Sequence, residues 1–233
     1  MPEFISGKDG TFWVGGNDFS CFTQSVSVNA SVEAPEVSTL CDTAKRYIGG
    51  QQDGTFSFEG FLVQEYDDPV DLINHRHPFI GATHEDALLF AYLPVNVAGA
   101  PCYGGEAFGT SVEVGAEIGG AVAYSGEGQA SWFPVAGIVA LPKEDHASGA
   151  ESVADMGASA PGRVLVQVAA GTADITVSVD GSDDGSTWVP VGSETSPGPA
   201  QFAFVEETAF RYWRVTLTTS GDPVPGVATV HPY

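Results

Sequence analysis

The chain has 233 residues and carries 30 Asp and Glu against 8 Lys and Arg, a formal net charge of −22. So one-sided a surface excludes nucleic-acid binding through phosphate contacts, which needs lysine and arginine. It fits a surface that nucleic acid slides past, and equally a salt-adapted or highly soluble protein whose only lysines are Lys8, Lys45 and Lys143. Hydrophobic residues at 43% and aromatics at 11% are enough for a packed core, and 29 Gly with 15 Pro favour many short strands joined by turns over helices.

In chain order, residues 1–10 carry acids and no long apolar run, so they do not read as a signal peptide, and no segment has the length of a membrane span. Residues 11–16 (TFWVGG) predict a short strand and a glycine turn. Residues 24–33 alternate: Val26, Val28, Ala30 and Val32 share one face, and Ser25, Ser27, Asn29, Ser31 and Glu33 share the other. Residues 34–53 hold no sustained period and predict a long loop. The strand pattern resumes over 54–63, with Phe56 and Phe58 on one face. Asp67-Asp68-Pro69 then opens one short helix over 69–76, since acids suit its positive end and proline its first turn.

Residues 87–93 predict a buried strand, and 107–118 and 120–133 two more. From 143 the composition turns small, polar and acidic, which predicts a linker over 143–162. A run of short strands follows over 163–233. Within it Ile175, Val177 and Val179 alternate with polar residues, as do Trp213, Val215 and Leu217. The expected division is therefore 1–142, a linker over 143–162, and 163–233 as a small Ig-like β-sandwich. The fold class is all-β with one short helix.

The residues give no catalytic constellation. Cys21, Cys41 and Cys102 form no CxxC pair, and no GxSxG elbow or phosphate-cradling glycine loop is present. His75 and His77, with His84 and Glu85 nearby, do not share a helix face and read as a surface cluster at a helix end. The run Asp180–Gly185 matches half a calcium loop, but Val191 stands where a bidentate Glu is needed, so a hairpin turn is expected. Trp188, Tyr212 and Trp213 read as core rather than as a sugar platform. No enzyme activity, cofactor or metal is expected.

Two stretches carry a resemblance. VGGNDFS (14–20) precedes the alternating strand, and TLCDTAKRYIGGQQDGTFSFEGF (39–61) leads into the next. This order is similar to the major tail tube proteins of long-tailed phages, in which a G-x-D-x-S turn precedes a strand and a DTA…G…DG loop leads into another. VSVDGSDDGSTW (177–188) and RYWRVTLT (211–218) resemble a module attached to some of these proteins.

The resemblance implies a self-assembling virion subunit, put together in the host cytoplasm. Its copies would close into rings, usually hexamers, and the rings would stack into a tube beside other tail proteins. Genomic DNA would pass through without specific binding, and no membrane would be involved. It implies a tube domain over 1–142, with Ser25, Ser27, Asn29, Ser31 and Glu33 facing the lumen. The loop with Asp42, Lys45, Arg46 and Tyr47 would touch a neighbouring subunit. A second reading is a capsid decoration protein or surface adhesin whose 163–233 module binds carbohydrate.

Overall fold

The computed structural model describes residues 10–38, 43–49, 52–61, 88–116, 122–131, 135–169, 174–198 and 200–232. Among them the regular structure is all β-strand, so the fold is all-β. The expected helix over 69–76 lies outside the described residues. The first half holds β1 (Thr11–Val14), β2 (Asn17–Asp18), β3 (Thr23–Val32), β4 (Gln52–Phe61), β5 (Leu88–Leu93), β6 (Pro101–Ala116) and β7 (Val122–Ala130). The second holds β8 (Val135–His146), β9 (Ala150–Val168), β10 (Ile175–Ser182), β11 (Val189–Ser196), β12 (Ala200–Thr219) and β13 (Val224–Pro232).

Every pairing is antiparallel, and one ladder runs β11-β10-β12-β9-β13-β8-β6-β5-β1-β2, with β3, β4 and β7 joined to it through β6. The turn between β1 and β2 is made by Gly15 and Gly16, both at positive φ (61° and 78°), which glycine adopts without strain.

The two halves have separate cores. Phe12, Phe19, Phe56, Phe58, Phe90 and Tyr124 fill the first. Phe56 stacks on Phe90 at 4.6 Å between ring centres, and Phe12 meets Phe58 at 5.2 Å. Gly126 and Gly128 of β7 make room for these rings. A Cβ on Gly128 would sit 2.2 Å from the Phe56 ring, and one on Gly126 2.5 Å from Phe58. The glycines of β7 and the phenylalanines of β4 are therefore one packing unit.

In the second half β9 and β12 are long and bent. Register shifts near Glu206 and Phe210 split their pairing into two stretches, so that the ladder folds over on itself. Trp213, Phe202, Phe204, Phe210, Val215 and Leu217 of β12 pack with Val164 and Val166 of β9 and Ile175 to Val179 of β10 in one core. Gly192 of β11, which does not pair with β12, lies against the Phe204 ring, the face-to-face contact of a sandwich. β10, β11 and β13 are short strands as expected, and β12 is one long strand because its bulges interrupt the pairing without ending it.

The stretch 143–162 is not a linker. It forms the end of β8 and the first part of β9, paired with β12 and β13. Its buried residues beside Trp213, Ala154 and Gly162, are small because the indole fills the space. Ala154 lies opposite Trp213, and a Cβ on Gly162 would sit 2.5 Å from the same indole. The alternation is real, but it is written in Ser and Ala and so carries little hydrophobic signal.

The halves are also stitched to each other. Gly16 N–H donates to Gln167 Oε1 (3.1 Å) and Leu89 N–H to Gln201 Oε1 (2.8 Å). Lys143 pairs with Asp18 (2.6 Å) and Arg163 with Glu106 (2.9 Å). Trp13, Leu93, Cys102, Val139 and Val227 form a third cluster at the junction. Burial pushes the Cys102 thiol up to about 12, which keeps it protonated and inert.

Candidate functional site

Strands β3, β4, β7 and the second half of β6 form a four-stranded sheet with two unlike faces. On the inner face, Phe56, Phe58 and Tyr124 are buried, and Val26, Val28 and Val112 pack against them. On the outer face the registers bring polar residues into rows. One row reads Ser25, Glu59, Ser125, Glu113, and the next Ser27, Ser57, Glu127, Ser111. Ser25 donates to Glu59 across the strands (2.9 Å), and Gln129 bonds Asp53. An open trough of about 810 Å³ lies over these rows.

The four strands carry serines, threonines and glutamines along this face and no Lys, Arg or His. Glu59, Glu113, Glu127 and Asp53 are all exposed on it. The face is therefore smooth, small-residued and anionic.

Of the sequence-derived lumen candidates, Ser25, Ser27, Asn29 and Ser31 stand together on this face, and Glu33 follows at the end of β3; all five are exposed. The other three strands of the face were not expected as part of it. The signal was present in Ser57 and Glu59, which alternate with Phe56 and Phe58, and in Ser111 and Glu113 beside Val112 and Val114.

Among the described residues both long edges of the sheet are open. There β3 pairs with β4 alone. On β6, the edge that β5 occupies up to Ala107 continues to Ala116 with no partner among the described residues. Apolar residues of the inner face emerge beside these edges. Val32 on β3 is 50% exposed and Val114 on β6 49%. An open edge flanked by exposed valines is a surface that pairs with another chain unless something blunts it. Neither edge carries a proline or a lysine.

The loop after β3 is a folded arm. Glu36 bridges Tyr47, Val37 N–H donates to the Arg46 carbonyl (2.8 Å), and Ile48 N–H donates to that of Pro35 (3.2 Å). Arg46 N–H donates to Ser38 Oγ (2.9 Å). Lys45 pairs with Glu36 at 2.9 Å, and that contact with the Ser38 hydroxyl lowers the Glu36 carboxyl from its ordinary value. Tyr47 is 56% and Ile48 54% exposed. Of the contact candidates, Lys45, Arg46 and Tyr47 lie on this arm, and Asp42 lies outside the described residues.

The second half offers no comparable site. Asp184 caps its own hairpin turn, accepting from the Ser186 and Thr187 amides (2.8 and 2.7 Å) and from the Ser182 and Thr187 hydroxyls. These bonds hold its carboxyl far below the usual range. Trp213 is fully buried, and Arg214 lies over the Trp188 ring at 4.5 Å. Among the described residues no group of three or more His, Cys, Asp or Glu is placed to hold a metal ion. His75, His77, His84 and Glu85 lie outside them.

No protein-family model matches the chain, and no curated protein does. Several solved structures share part of its fold. One is from the virion of a native gene transfer agent particle, with 16% identity over 55% of this chain and 95% of that one and a TM-score of 0.44. A second is the SPP1 tail tube, with 14% identity over 56% and 78% and a TM-score of 0.44. A third is the sheath–tube complex of an extracellular contractile injection system in its extended state, with 14% identity over 58% and 92% and a TM-score of 0.45. These likenesses are remote and cover little more than half of the chain.

Proposed function

We propose that this chain is a non-catalytic tail tube subunit, whose copies join edge to edge into rings that stack into a conduit for a viral genome. The carrying observation is the four-stranded sheet, with one face sealed on a phenylalanine core, the other carrying rows of polar and acidic residues, and both edges without a partner among the described residues. Pairing β3 of one copy with the free edge of β6 of the next removes both open edges and continues the polar face around a closed wall. The proposal stands on this sheet and on the sequence resemblance, not on the distant structural likenesses.

Six copies would give a wall of roughly 24 strands, about 37 Å across between backbones before strand tilt widens it. Acids on the inside of such a wall repel phosphates and keep a passing genome from sticking. The arm would reach a neighbouring copy through Tyr47, Ile48 and Val37. The second half would sit outside the wall.

The test is chemical cross-linking with microscopy. Cysteines are placed singly on β3 (Ser25, Ser27 or Asn29) together with one on β6 (Ser111 or Glu113), in a chain with Cys21→Ser and Cys41→Ser. Mild oxidation is expected to give a ladder of covalent multimers from at least one pairing, and micrographs of the concentrated protein are expected to show rings or tubes. A monomer that gives neither overturns the proposal.

A further inference from the structure

Most of the described cations are already committed within the chain. Of the eight lysines and arginines, six fall among the described residues. Five of these six sit in ion pairs within the chain: Lys45 with Glu36, Lys143 with Asp18, Arg163 with Glu106, Arg211 with Asp155, and Arg214 with Asp180. Arg163 is also buried. The sheet with the open edges has no cation at all in its four strands. A second copy approaching these four strands meets their carboxylates and no ammonium or guanidinium on the strands themselves; the nearest described cations, Lys45 and Arg46, stand on the arm beyond β3, and Lys45 is already paired with Glu36.

The spacing makes this repulsion tunable. Glu59 and Glu113 occupy one cross-strand row two strands apart, and Glu127 lies in the next row. With strands about 4.8 Å apart, carboxylates in a row repeat at about 10 Å. Bringing a neighbour's β6 beside β3 sets that copy's Glu113 two strands from Glu59, so the same spacing continues across the join. The screening length is about 30 Å at 0.01 M salt, about 10 Å at 0.1 M and about 3 Å at 1 M. The acids therefore see one another at low salt and do not at high salt. What draws copies together is backbone pairing and the exposed inner-face residues Ala30, Val32 and Val114, and screening weakens neither.

We infer that assembly is gated by ionic strength: the anionic face holds copies apart in dilute salt, and salt lets the open edges pair. This rests on the tube-wall reading and adds its control. Its sign is opposite to that of an assembly held by complementary charges, which salt dissolves.

The test is sedimentation of the purified full chain at fixed concentration from 0.05 to 2 M NaCl, with micrographs of the pellet. The polymerised fraction is expected to rise at least tenfold across the series. Sucrose of equal osmolality, which does not screen charge, should not reproduce the rise. The triple variant Glu59→Gln, Glu113→Gln, Glu127→Gln should reach half-polymerisation at several-fold lower salt. The triple variant Glu194→Gln, Glu207→Gln, Asp222→Asn, which removes equal charge from the second half, should shift much less.

Tubes that form equally at all salts, or dissolve as salt rises, overturn the gating and leave the tube reading in place. Equal shifts in the two triple variants overturn the assignment to this face. No polymer at any salt overturns the tube reading itself.

Discussion

The first-half sheet and the second-half sandwich are built from the same antiparallel ladder, yet only the sandwich is complete on its own. In the sandwich the ladder bends at bulges, closes on Trp213 and Phe204, and pairs Arg211 and Arg214 with Asp155 and Asp180. Among the described residues the sheet of β3, β4, β7 and β6 keeps two edges without a strand partner, half-exposed valines and acids with no cation beside them. Stability of the single chain therefore concentrates in the second half, and capacity for association concentrates in the first.

The sharpest way to break this contrast is to damage the sandwich core. Trp213→Ala empties the centre of that core and should cost about 3–5 kcal/mol in urea unfolding. If the halves are as firmly stitched as their shared junction suggests, the first-half tyrosine and phenylalanine signals are lost in the same transition. Two separate transitions would mean that the junction does not couple them. Next in size is Glu106→Gln, which removes the carboxylate 2.9 Å from the buried Arg163 guanidinium and should cost about 3 kcal/mol, measured the same way. Gly128→Val drives a side chain into the Phe56 ring and should cost about 1–3 kcal/mol, with a matching change in near-ultraviolet circular dichroism.

A smaller effect separates the halves by pH. The Arg211 guanidinium, with the Gly157 amide, holds the Asp155 carboxyl at about 2 against an ordinary 3.8. A carboxyl depressed by folding stabilises above its unfolded value and loses that contribution as pH falls through its folded one. Asp155→Asn should therefore lower the melting temperature slightly at pH 6, and the difference from the parent chain should vanish as pH falls from about 4 toward 2. The smallest effect is expected at Ser27→Ala on the polar face, within about 0.5 kcal/mol of the parent. A large loss there would mean that the face has a structural duty beyond being smooth.

Much of this was legible in the sequence where the period was strong. Val26 and Val28 against Ser25 and Ser27 announced β3 and its exposed face, Phe56 and Phe58 announced β4, and residues 87–93 announced β5. The hairpin at Asp184 was read correctly as a turn. Three things were not legible. Residues 143–162 looked like a connection because the inward positions beside Trp213, Ala154 and Gly162, are small, fitted around a partner some 60 residues away in the chain. The arm of residues 35–38 and 43–48 lacks a side-chain period because backbone hydrogen bonds organise it. The β6 edge beyond Ala107, which has no partner among the described residues, is set by which strands lie beside it, and no local pattern records that. The polar face was seen one strand wide for the same reason: a sequence shows which side a residue takes, but not which strands lie next to one another.

Four is an even number, and that has a consequence for how such a sheet can be repeated. β3 and β6, the outermost strands, run in opposite directions. Any number of copies laid side by side therefore keeps up-and-down alternation at each join, so strand direction does not count the copies. An odd sheet would force like-directed strands together at each join. Ring size is then left to curvature and to contacts off the sheet, and strands can be gained or lost from this sheet only as whole hairpins.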